Sequence, residues 1–168
     1  MRELTDIEAA YIAGLIDGEG CLAIIRQKNS NCRGGYAYRC GLRFANSNQA
    51  IVEWLAEKVG TGCVKAHQPK MRNSKCQRCW DIWGDDAAAL TQRLLPYLRI
   101  RRPQADLLLS FQAALKRREG PTLTDQELAF REACYHQSRS LNQRGLVEYG
   151  GGGHKNAAGF TLPHGAAP

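Results

Sequence analysis

No stretch of the 168-residue chain approaches the roughly 18 consecutive apolar residues of a membrane span, so a transmembrane helix is not expected. The opening residues, MRELTDIEAA, are too acidic and polar for a secretory signal, and the expected setting is cytoplasmic, or organellar if organelle-encoded. Cysteine is present but lacks a framework: seven residues, at 21, 32, 40, 63, 76, 79 and 134, are an odd number without disulfide spacing, which favours reduced thiols. Acidic residues are in deficit, 16 against 23 Lys and Arg, and the formal charge of +7 favours a polyanionic partner. There is no internal repeat, and 43% hydrophobic content suffices for the core of one domain.

Local signals then set the order of elements. Thr5-Asp6-Ile7-Glu8 is a capping box, so a helix is expected from about Asp6 to about Asp17. Ile7, Ala10, Tyr11 and Gly14 share one face of it, and the apolar residues around its C-terminal half require burial on two sides. Ala9, Ala10, Ala13 and Gly14 carry so little side chain that a second helix can approach closely. From Gly20 the period changes to that of a hairpin, Cys21 to Lys28 and Tyr36 to Ala45. In its second strand Tyr36, Tyr38, Cys40, Leu42 and Phe44 alternate with Ala37, Arg39, Gly41, Arg43 and Ala45, separating an apolar face from a small and basic one. In the first strand Leu22 and Ile24 are expected inward.

A helix follows from Asn46 to Lys58, with Ser47 as cap and Gly60 as stop. Strands are expected at Gly62 to Gln68 and Cys76 to Trp83. Three helices come next: one opened by Asp85, one with Pro103 in its first turn, and one from the capping box Thr124-Asp125-Gln126-Glu127 toward Leu141. The expected fold is α+β, in the order αββαββα with extra C-terminal helices and one four-stranded antiparallel sheet. Residues 1–145 form the domain, and the Gly, Ala and Pro-rich stretch 146–168 is an expected disordered tail.

Tyr11-Ile12-Ala13-Gly14-Leu15-Ile16-Asp17-Gly18-Glu19-Gly20 resembles the motif of the LAGLIDADG homing endonucleases in the form LAGLIDGEG, with Ile12 for the first Leu. The likeness runs from about residue 7 to 141 and includes Gly41 to Asn48, Val59-Gly60-Thr61-Gly62 and the basic segment Leu95 to Ala105. It implies a saddle-shaped sheet that holds double-stranded DNA. It also implies hydrolysis of phosphodiester bonds in both strands at a long, near-palindromic site, as in intron homing or its free-standing equivalent. Glu19 would hold Mg²⁺ together with the Gly18 carbonyl; Mn²⁺ would substitute, and Ca²⁺ would support binding without cleavage. Asp17 would support the turn or accept N–H groups at the partner helix. Arg101 would stand near the scissile phosphate, and Asn48 would organise water. One motif per chain implies a homodimer through Ala10, Ala13 and Gly14.

On the same resemblance the outer sheet face would enter the major groove through Arg39 and Arg43, then Lys65 and His67, then Gln27, Lys28, Asn29 and Arg78. Alternative readings are a maturase binding intron RNA, or a catalytically silent DNA-binding protein; retention of Glu19 disfavours the silent one. Cys76-Gln77-Arg78-Cys79 lacks partners at a zinc-site spacing and reads as free thiols. The segment from Gly150 to Phe160 resembles a GGGH…AAG stretch of DHH-family phosphoesterases, but without that family's acidic motifs its activity does not transfer.

Overall fold

The structure, a computed structural model, describes residues 1–67, 76–116 and 123–147. The expected hairpin tip at Pro69 to Lys75 and the tail beyond Val147 lie outside the described residues. Helix α1 (Asp6–Glu19) leads into strand β1 (Gly20–Lys28), a short turn carries the chain into β2 (Tyr36–Asn46), and α2 (Gln49–Val59) follows. Strands β3 (Cys63–His67) and β4 (Gln77–Trp83) precede α3 (Gly84–Leu94), α4 (Arg102–Lys116) and α5 (Asp125–Val147). The α+β order is the expected one, and the four strands pair antiparallel in the order β1-β2-β4-β3.

Both capping boxes form. Thr5 Oγ1 accepts the Glu8 N–H while the Glu8 carboxylate accepts the Thr5 N–H, and Thr124 and Glu127 repeat the pattern. The Lys58 ammonium and then the Thr5 donors hold the Glu8 carboxyl down at about 2. Helix α1 ends two residues later than expected, so Glu19 belongs to its last turn. Helix α2 starts later than expected, with Asn48 rather than Ser47 at its N-cap and no side-chain cap bond. Helix α5 runs past Leu141 to Val147 and crosses the expected domain boundary at 145.

Parity sorts the sheet faces. Leu22, Ile24, Tyr38, Cys40, Leu42, Phe44, Trp80 and Ile82 are buried against the helices, as expected for β2 and for Leu22 and Ile24 of β1. Burial raises the Cys40 thiol to about 11, so it behaves as a core residue. Strand β1 is an edge, and α5 serves it where a further strand would. Ser138 Oγ accepts the Ile24 N–H at 2.9 Å, and Asn142 Nδ2 donates to the Leu22 carbonyl at 3.1 Å. Further along, Glu132 takes both Arg26 and the Tyr38 hydroxyl, and Arg26 lies between the rings of Tyr36 and Tyr135.

The junction between α1 and β1 is close-packed. A Cβ on Gly20 would stand 2.7 Å from both the Cα and the carbonyl oxygen of Ile16, atoms of the helix backbone that cannot swing aside. Gly20→Ala is expected to destabilise the protein by roughly 1–3 kcal/mol, seen as a lower urea midpoint; an unchanged midpoint contradicts this account of the junction.

Candidate nucleic-acid interface and acidic centre

Helix α1 ends in two acids, Asp17 and Glu19, with no basic residue in its last turn. The helix macrodipole disfavours negative charge there by about 0.3–1 kcal/mol per group, so the placement needs another reason. For Asp17 the reason is visible. Its two oxygens accept the backbone N–H groups of Arg99 and Arg101 at 2.7 and 2.8 Å, which fixes the connection between α3 and α4. Both of its oxygens are thereby engaged by N–H groups of its own chain.

Glu19 is exposed, and its Oε2 accepts a hydrogen bond from Asn46 Nδ2 at 2.5 Å. Asn46 Oδ1 in turn accepts the Asn48 N–H at 2.7 Å, so one amide joins the acid to the start of α2. Asn48, expected to organise water, is exposed at the N-cap of α2. Gly18 is also exposed, and its carbonyl belongs to the last turn, where helix geometry supplies no intrahelical donor. Among the described residues no three His, Cys, Asp or Glu side chains gather as a metal cluster. A carboxylate and a carbonyl are hard oxygen donors of the kind Mg²⁺ takes while retaining several waters.

Arg101 approaches the same region. Its Nη1 donates to Asn142 Oδ1 at 3.3 Å, and its Nε is buried without an acceptor among the described residues. Burial raises the pKa of the Cys21 thiol, and the charges of Arg101 and Arg43 oppose the rise.

The outer sheet face carries Gln27, Arg39, Arg43 and Lys65, all exposed. Arg39 stacks over the Trp83 ring at 4.5 Å, and Trp83 covers Gly41, where a Cβ would meet the ring at 2.2 Å. Arg43 forms an ion pair with Asp81, directly opposite on β4. His67 closes β3 opposite Gln77; its side chain lies outside the described residues. Asn29 begins the β1–β2 turn, where its Oδ1 accepts the Asn31 N–H at 3.0 Å.

Two expected groove residues are on the other face. Lys28 shares the parity of Leu22 and Ile24, and Arg78 that of Trp80 and Ile82. Arg78 lies 4.0 Å from Glu53 of α2. On α1, Ala13 is fully buried in the protomer's own core and takes no part in the exposed stripe. That stripe consists of Ile7, Ala10, Tyr11, Gly14 and Gly18; Ile7 is 82% and Tyr11 52% exposed, and a Cβ at either glycine would meet nothing within 4 Å.

No family model matches the chain, and no curated relative does. Solved structures do. The homing endonuclease I-CvuI, in complex with its target in the presence of Ca, is 22% identical, with a TM-score of 0.66 over 80% of this chain and 82% of that one. The archaeal intron-encoded homing endonuclease I-Vdi141I, complexed with DNA, is 14% identical, with a TM-score of 0.68 over 81% and 84%. The fold is that of the LAGLIDADG homing endonucleases. Against I-LtrWI, a LAGLIDADG homing endonuclease bound to target DNA, the match is 14% identical with a TM-score of 0.59, and covers 82% of this chain but 46% of that one.

Asn46, Asp81, Trp83 and Asn142 were missed by sequence reasoning. Asn46 alone had a signal, its place between the basic strand and α2. Asp17→Ala is expected to cost about 1–2 kcal/mol by leaving two N–H groups without their charged acceptor, and to speed amide exchange at Arg99 and Arg101. Unchanged protection at both amides contradicts the assignment.

Proposed function

We propose that the chain is one protomer of a homodimeric, divalent-metal-dependent endonuclease that cuts both strands of double-stranded DNA at a long, nearly palindromic site. The observation that carries this reading is Glu19. An exposed carboxylate stands where the helix dipole opposes it, oriented by Asn46, at the end of a sheet whose open face carries Arg39, Arg43 and Lys65. Sites that break a local rule without a structural gain are where function is expected. The likeness to DNA-bound homing endonucleases supports the same reading.

Two-fold pairing follows from the single acid. The sequence holds one such motif, and the exposed stripe from Ile7 to Gly18 leaves a helix backbone open to close approach by its copy. Pairing there brings two Glu19 carboxylates to the end of the two sheets. Each would hold Mg²⁺ with its Gly18 carbonyl; when bound, the ion polarises the phosphate and lowers the pKa of water. Asn46 holds the carboxylate in place, and Asp17 fixes the backbone that carries Arg101. Arg101, with one unmet buried donor, faces the anionic phosphate. The +7 charge of each chain neutralises backbone phosphates and makes binding steeply salt-dependent.

Glu19→Gln keeps shape and hydrogen bonding but removes the charge that holds the cation. Cleavage in Mg²⁺ is expected to fall by at least about 10²–10³-fold, while affinity for the same site in Ca²⁺ changes little, since phosphate and base contacts carry it. Near wild-type cutting overturns the assignment, and loss of binding reassigns Glu19 to folding or assembly.

A further inference from the structure

Asp81 has no part in the acidic centre, yet its side chain is only 5% exposed on a sheet face that carries Arg39, Arg43 and Lys65. It stands on β4 directly across from Arg43 on β2, with Oδ1 accepting from Arg43 Nε at 2.5 Å and Oδ2 from Nη2 at 3.4 Å. The Cys79 thiol donates to the same Oδ1 at 3.5 Å. Arg43 itself keeps 55% of its side chain exposed. A desolvated ion pair is weak evidence for stability, because well-packed apolar residues of similar volume often serve as well. Its geometry is informative. The carboxylate meets the guanidinium from the side, through Nε and Nη2, which leaves the Nη1 hydrogens and one Nη2 hydrogen unused by Asp81 on a side chain that is half exposed.

That end-on fork is what the O6 and N7 acceptors of guanine take in the major groove. The same fork also fits a phosphate, but Arg43 sits on the sheet face that would enter the major groove, where base edges are the acceptors. Arg39 provides the contrast: stacking on Trp83 fixes its plane but leaves the direction of its donors free. Resting on the DNA-binding reading above, we propose that Asp81 is a positioning residue that holds Arg43 end-on to read a guanine in each half-site. Arg43 precedes Asn46, the partner of Glu19, by three residues of strand, or about 10 Å. With about 3.4 Å per base pair, the guanine lies about three base pairs from the acidic centre.

The test is selection of duplexes from a randomised library by binding in Ca²⁺, with wild type, Asp81→Asn and Arg43→Lys. The wild-type pool is expected to carry guanine at one inner position of each half-site. Asp81→Asn is expected to lower the preference for guanine over adenine there by about tenfold, with other positions unchanged and total affinity within a few fold. Arg43→Lys keeps the charge but not the fork, and is expected to lose the same preference, so the proposal stays testable if Asp81→Asn fails to fold. Full retention of guanine by either variant, or loss of preference at every position alike, overturns it. A wild type that binds no duplex overturns the DNA-binding reading itself. In DNA-free protein the Arg43 Nε–H resonance reports the clamp separately: slow exchange is expected in wild type and fast exchange in Asp81→Asn, and fast exchange in both overturns the clamp.

Discussion

Two carboxylates at the C-terminal end of one helix are the constraint around which the protein is arranged. The dipole of α1 opposes both, and the fold answers each differently. Asp17 is answered by two backbone N–H groups from the connection into α4, which makes a liability of the helix end into a joint. Glu19 receives one amide from Asn46 and remains exposed. Stability would be served by a basic residue or a neutral cap at this end. A divalent cation would be served by the acid.

The joint extends outward. Asp17 holds the backbone of Arg101, Arg101 meets Asn142, and Asn142 donates to the Leu22 carbonyl on the edge of β1. Helix α5 therefore closes the sheet edge and also meets the Arg101 side chain. On the outer face, Asp81 holds the direction of the Arg43 guanidinium and Trp83 fixes the plane of Arg39, at a cost in side-chain freedom met before any ligand arrives.

Much of this was legible in the sequence. Two capping boxes, the alternation from Tyr36 to Phe44 and the glycines at 20 and 60 are local signals, and the elements they imply form in the expected order. The motif placed Glu19 and Asp17 at the helix end, where they are. The contacts that finish the site were not legible, because they join residues far apart in the chain: Asn46 to Glu19, Asp81 to Arg43, Asn142 to Arg101. Lys28 and Arg78 were placed on the wrong face because basic character was weighed above strand parity. Ala13, expected to face a partner helix, is fully buried within its own chain.

The central claim is that each protomer contributes one Glu19, and each Glu19 serves one DNA strand. It is tested most directly with a mixed dimer of one wild-type and one Glu19→Gln protomer, isolated by different affinity tags and offered a supercoiled plasmid carrying the selected site in Mg²⁺. The account predicts nicked circles, with one strand cut and the other intact. Linear product at the wild-type rate would contradict it, as would a wild-type protein that cuts both strands as a monomer.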